Sequence, residues 1–254
     1  MIRLNIVIGF ILFFTGALFT SFYELVASRL PKKESISGKS ECPHCHHSLR
    51  LIDVFPLVGY LFNLGKCHYC KKPIPFQHFI VELIGGGFFL YAYLSYSFTT
   101  TFFVFIILYS VLFLSSLFDI SHRIVYDFVW LIGTVLLIII RLIESNIFPY
   151  LLSAGVLFGS LLILAMIGKL IFKKDALGGG DIKLYFFIGF VIPLASGFLS
   201  IIFASFFGMI YGLLKKDKLN HEIPFVPFIA LGVLIAFLFG ESLIEWYVSL
   251  LGGY

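Results

Sequence analysis

Apolar residues in this chain fall in eight long runs, at about 4–28, 79–97, 101–118, 126–143, 149–171, 182–195, 197–214 and 224–250. Runs near 20 residues match the length an α-helix needs to cross a bilayer. Inside lipid every backbone N–H and C=O must be paired internally, which leaves helices or closed barrels, and the ten-residue alternation of a barrel strand is absent. The pattern predicts an all-α polytopic membrane protein with about eight transmembrane helices. One polar segment, residues 29–78, interrupts the runs. The predicted divisions are a first transmembrane helix over 1–28, a cytoplasmic loop domain over 29–78, and a seven-helix core over 79–254. No internal repeat is visible.

Composition agrees with the pattern: of 254 residues, 60% are hydrophobic and only 13% charged, about half the charge of a soluble domain. The net charge of +4 is no sign of nucleic-acid binding, because the basic residues cluster beside the apolar runs, where they set orientation. Eight of the eighteen Lys and Arg lie in the polar segment: Arg29, Lys32, Lys33, Lys39, Arg50, Lys66, Lys71 and Lys72. The positive-inside rule places that segment in the cytoplasm. Lys169, Lys173, Lys174 and Lys183, then Lys215, Lys216 and Lys218, mark further cytoplasmic connections. Both termini are then expected outside. The first run is expected to be a retained span rather than a cleaved leader, since Arg29, Lys32 and Lys33 follow it.

All four cysteines lie in the polar segment, as Cys42-Pro43-His44-Cys45 and Cys67-His68-Tyr69-Cys70, with 21 residues between the pairs. Two such pairs suit a closed tetrahedral zinc site of four thiolates, which would staple a loop too small for a core of its own. A pair of disulfides or a redox dithiol are the alternatives, and a reducing cytoplasm argues against the first. His44, His46, His47 and His68 are expected outside the ligand set.

Two acids stand at the edges of apolar runs. Asp119 closes one, and Asp181 follows Gly178-Gly179-Gly180 and opens another with Ile182 and Lys183. Three glycines break a helix and allow close backbone approach. An ionisable group at membrane depth is a functional hypothesis by default. Asp119 and Asp181 are expected on the same cytoplasmic face, where two carboxylates sharing a site divide one proton between them and can serve as base and acid. Each also has a plainer reading: Asp119 paired with Arg123 or His122, Asp181 as a helix cap. Asp127 competes with Asp119 or orients a partner, and Lys183 is expected to snorkel towards the lipid interface.

These residues resemble those of the bacterial type IV prepilin peptidases, or type IV leader peptidases, intramembrane aspartic proteases with a Gly-x-Gly-Asp motif. The similarity runs along nearly the whole chain. It includes Ser21-Phe22 with Arg29-Leu30-Pro31, both cysteine pairs with Asp53-Val54-Phe55-Pro56-Leu57 and Gly65-Lys66-Cys67 between them, Glu82, Asp119, Gly178 to Leu184, and Ile223 to Gly232. The chain departs from the family at Thr20, where Gly is usual, at Glu24, where Asn is usual, and at Val125-Tyr126, where Ile-Pro is usual. The resemblance implies that Asp119 and Asp181 are catalytic, with Gly178, Gly179, Gly180 and Lys183 at the substrate approach and Asp127 and Glu82 as accessory acids. It implies prepilin or pseudopilin substrates with a short basic leader, in the bacterial cytoplasmic membrane among its lipids. It also implies N-methylation of the new terminus with S-adenosylmethionine, associated with Gly65 and Lys66. The rival reading is a proton-coupled transporter with a zinc-stapled loop, which would call for internal symmetry or paired broken helices.

Overall fold

The computed structural model describes residues 2–173, 177–215, 223–250 and 252. Lys174, Lys216 and Lys218, counted above as orientation signals, lie outside the described residues. The described chain is helical: α1 (Ile2–Arg29), short α2 (Leu51–Val54) and α3 (Val58–Phe62), then α4 (Phe76–Tyr96), α5 (Thr100–His122), α6 (Asp127–Ile143), α7 (Ile147–Phe172), α8 (Gly179–Gly189), α9 (Leu194–Leu214) and α10 (Val226–Leu250). Large apolar side chains stay uncovered along the long helices, among them Leu4, Phe10, Phe148, Leu170 and Leu213. Bare apolar faces of that extent suit a lipid surround, and the chain is a multi-pass membrane protein.

All eight predicted runs are helices, and among the described residues six of them, α1, α4, α5, α7, α9 and α10, are long and apolar enough to cross a membrane. The expected count of about eight transmembrane helices differs slightly from these six, because two of the helices are short. α6 has 17 residues. α8 has 11, about 16 Å at the α-helical rise. The run 182–195 reads as unbroken because the turn that ends α8 is itself apolar. Phe190, Val191 and Ile192 are each no more than 3% exposed. Irregular backbone at membrane depth is tolerated only when protein covers it, and here the turn's carbonyls are answered individually. Arg141, on α6, donates from Nε to the Phe190 carbonyl (3.2 Å) and from Nη2 to the Val191 carbonyl (3.1 Å). Its Nη1 pairs with Glu144 at 2.8 Å, and its guanidinium lies 3.6 Å from the centre of the Tyr150 ring. Ser153 Oγ donates to the Ile192 carbonyl at 3.1 Å.

The chain divides into two compact units, 1–109 and 110–254. In the first, α1 and α4 pack on glycine. A Cβ at Gly16 would meet the Gly85 carbonyl and the Phe89 ring, and one at Gly86 would meet Phe13. Small residues let helix backbones approach closely where lipid supplies no hydrophobic drive. Thr20 uses the room that Gly85 leaves: its hydroxyl donates to the Gly16 carbonyl and is 2.7 Å from Tyr109 Oη. In the second unit, α8 packs on α6 and α7, and α9 on α10.

Gly85→Val should lower the stability of the first unit by about 1–3 kcal/mol, the usual effect of overpacking. Gly87→Val is the control, because a Cβ there meets nothing within 4 Å. Thermal unfolding of the two variants in detergent tests the contrast.

Candidate functional site

Four strand-free ends meet at one pole of the 110–254 unit: the end of α5 and the starts of α6, α8 and α10. Each brings a polar group. Asp119, only 7% exposed, accepts a hydrogen bond from the Val226 backbone N–H at 2.9 Å. Val226 is the first residue of α10, so the carboxylate sits where unpaired amides and the helix dipole favour negative charge. Asp181 lies in the first turn of α8, a second such position. It is close enough to Asp119 for the one charge to act on the other. The plainer reading of Asp181 as a side-chain cap is not met: α8 starts at Gly179, and Gly178 is its N-cap without a side-chain bond. Asp119 takes its hydrogen bond from α10.

The three glycines are not equivalent. A Cβ on Gly178 would stand 2.9 Å from Asp181 Oδ2, and one on Gly180 would stand 2.7 Å from Val125 Cβ. A Cβ on Gly179 would meet nothing within 4 Å. The structure thus gives a reason for Gly-x-Gly-Asp: the outer glycines leave room for the carboxylate and for the 123–126 connection. Val125-Tyr126 also loses its oddity, because Tyr126 holds φ −76° and ψ 126°, near the φ a proline would impose.

Asp127 and Lys183 form a pair, Lys183 Nζ lying 2.8 and 2.9 Å from the two carboxylate oxygens. Trp130 Nε1 donates to the same carboxylate at 3.0 Å. The expectation that Lys183 snorkels to the interface is corrected: its ammonium reaches across from α8 to the start of α6. Both partners are exposed, so solvent screens the pair and it adds little to stability.

The second cluster is in the loop of the 1–109 unit. Cys42, Cys45, Cys67 and Cys70 place their sulfurs within 4.8 Å of one another, and Cys42 and Cys70 Sγ are 3.8 Å apart. Tetrahedral Zn–S bonds of about 2.3 Å put sulfurs about 3.8 Å apart, so the donor set fits zinc. All four cysteines are free thiols, not disulfides. Two copies of one turn carry them. The Cys42 N–H donates to His47 O (3.1 Å) and the His46 N–H to Cys42 O (2.9 Å); the Cys67 N–H donates to Lys72 O (2.8 Å) and the Lys71 N–H to Cys67 O (3.0 Å). His46 and Lys71 are both left-handed. This short repeat of two knuckles corrects the expectation of none. Backbone N–H groups of His44 and Cys45 bring the Cys42 thiol down to about 6, while burial and the neighbouring thiols push Cys45 up to about 11; in the absence of a cation the four sulfurs do not all ionise together.

Gly65 and Lys66 lead into the second knuckle. Gly65 has φ +69°, and a Cβ there would fall 2.7 Å from Tyr60 Oη, so only glycine fits the turn. Asp53 is a staple: Arg50 binds it through Nε and Nη2, and Asn63 Nδ2 donates to it at 2.9 Å. The Arg50 hydrogen bonds hold its carboxyl well below the usual range. Glu82, on α4, accepts the Leu57 backbone N–H at 2.8 Å and so anchors a residue held at φ 63°. His78 Nδ1 lies 3.2 Å from both Glu24 oxygens. Sequence reasoning missed this pair, although Glu24 had stood out as a departure, and it missed the role of Arg141.

Residues 14–96 match the bacterial peptidase A24 N-terminal domain, and residues 106–213 match the type IV leader peptidase family. A Bacillus subtilis protein named prepilin leader peptidase/N-methyltransferase is 30% identical over 247 residues, covering 94% of this chain and 98% of its own. The chain belongs to the type IV leader peptidase family. Proteins of the same name from Pseudomonas aeruginosa and Vibrio cholerae are each 29% identical, covering 93% and 85% of this chain and 92% and 91% of their own. No solved structure matches. As a member of that family the chain is a peptidase, and the names of its relatives join an N-methyltransferase to it.

Gly178→Ala should reduce activity of the peptidase on the order of tenfold or more, since small displacements of a reacting group are costly; Gly179→Ala should leave it within about twofold. Initial rates on one substrate measure the difference. Metal analysis should find about one zinc per chain, as a closed four-thiolate site requires. Chelation should expose residues 40–75 to protease at rates that zinc restores.

Proposed function

We propose that this peptidase removes the short basic leader of a prepilin or pseudopilin at the cytoplasmic face of the bacterial inner membrane, with Asp119 and Asp181 as the reacting pair, and that it then N-methylates the new terminus. The observation that carries the first half is the meeting of two carboxylates at helix N-termini, within reach of each other's charge and beside a glycine that leaves Asp181 uncrowded. The Val226 N–H fixes the position of Asp119. One carboxylate of the pair takes a proton from water, and the other holds the shared proton and passes it to the departing amine. The substrate's hydrophobic helix lies in the bilayer, and its basic leader meets the cytoplasmic pole, which Arg123, Lys183 and the Lys-rich connections mark. Both chain termini then lie outside. The cysteine loop, with Gly65 and Lys66, faces the same compartment and carries the methylating activity. S-adenosylmethionine supplies the methyl group when bound.

Asp119→Asn and Asp181→Asn should each abolish cleavage of a co-expressed prepilin while the protein still inserts in the membrane. Mass spectrometry of the substrate's N-terminus reads the cut and the methyl group together. Substantial turnover by either variant would remove the two-carboxylate mechanism.

A further inference from the structure

Among the described residues, two buried side-chain polar atoms make no hydrogen bond: Ser115 Oγ on α5 and Tyr185 Oη on α8. Both residues are at most 2% exposed. Ser115 stands four residues before Asp119, and Tyr185 four residues after Asp181; residues four apart share a helix face. α5 ends at the pole of the two acids and α8 starts there, so both hydroxyls lie one turn further into the unit than the carboxylates. Helical side chains lean over the preceding turn. This tips Asp119 towards Ser115, and Tyr185 towards Asp181, whose charge reaches the Tyr185 hydroxyl. α5 and α8 stay together past this level, because a Cβ on Gly133 of α6 would meet both Val111 and Phe187. The usual local partners do not serve the two hydroxyls. Thr20, Ser116 and Thr134 return theirs to the carbonyl four residues back; Ser115 does not. Ser200 stands beside Tyr185 but off hydrogen-bond geometry, and its own proton goes to the Gly197 carbonyl at 2.6 Å. A buried hydroxyl left unpaired is costly, and buried water commonly answers such groups.

We propose that Ser115 and Tyr185 hold one buried water beneath Asp119 and Asp181 and act through it as positioning residues of the peptidase. The proposal rests on the reading of the two aspartates as the reacting pair. The water accepts a hydrogen bond from each hydroxyl and donates one to each carboxyl group, which uses both its lone pairs and both its protons. Asp119 is already met from α10 by the backbone N–H groups of Val226 and Phe225, and a carboxylate has lone pairs for a further donor. This water is not the one that reacts. It fixes the separation of the carboxyl groups from their inner side, where the surrounding helices exclude solvent, and it satisfies two hydroxyls that would otherwise have no partner.

The test uses the full chain, zinc-loaded, in lipid nanodiscs, with a prepilin peptide that spans the cleavage site. Tyr185→Phe and Ser115→Ala each remove a hydroxyl and leave the packing nearly intact. Each should lower kcat roughly tenfold, the worth of one well-placed hydrogen bond, with KM within about twofold. The double variant should lose no more than the worse single, because both break the network of one water. The infrared C=O stretch of the carboxyl that holds the shared proton should move in both singles, a signature that lost stability alone does not produce. An unchanged kcat in either single overturns the proposal. So do losses that multiply in the double variant, and so does a fall in kcat without the infrared shift. Turnover that survives Asp119→Asn or Asp181→Asn refutes the two-carboxylate reading itself. Turnover lost in those variants but untouched in Ser115→Ala and Tyr185→Phe refutes only the water.

Discussion

A carboxylate taken out of water must be answered by N–H groups or it does not stay charged, and in a membrane protein the free N–H groups are at helix starts. Much of the 110–254 unit follows from this constraint. The bilayer-length helices have their amides paired internally, so charge can sit only at ends. The end of α5 and the starts of α6, α8 and α10 are brought to one pole, and Asp119, Asp127 and Asp181 all stand there. The apolar packing of the unit fixes where those ends fall. Gly189 against Ala154 and Gly133 against Val111 and Phe187 leave no room for even a methyl group.

The other end of α8 meets the same requirement with opposite sign. A helix of 11 residues exposes its last carbonyls inside the protein. Arg141 brings a cation to them, which the negative end of the dipole favours, and the Tyr150 ring and Glu144 complete its surroundings. Replacing this arginine with lysine would forfeit the planar fork that reaches two carbonyls at once. Lys183 with Asp127 at one end and Arg141 at the other thus tie both ends of one short element to α6.

Much of this was legible in the sequence, and the misses have identifiable causes. Apolar runs announced every long helix, and the paired cysteines announced their cluster, because ligand spacing is set by metal geometry rather than by distant packing. Asp119 and Asp181 were singled out because charge is scarce in such a chain. The end of α8 was hidden because a buried turn is as apolar as the helix before it, with Pro193 the only mark. Arg141 drew no reading of its role and Lys183 read as a lipid-facing cation, since the carbonyls that Arg141 answers and the acid that Lys183 meets are dozens of residues away in the chain. The difference between Gly179 and its neighbours depends on Val125 and on the Asp181 rotamer, which no local pattern records. Glu24 and His78 are 54 positions apart, yet the departure at Glu24 was a signal that something nearby had to answer it.

The close contact of α1 and α4 has a consequence for the loop they flank. The loop leaves the membrane from Arg29 and returns at Phe76, and both ends are delivered by helices locked together at Gly16 and Gly85. The loop is therefore a ring closed before any metal arrives. The conformational entropy of bringing its ends together is already spent by helix packing, so each cysteine knuckle meets the other at the high effective concentration of a tethered partner. A glycine contact between two long helices in this way helps bring the four cysteines together.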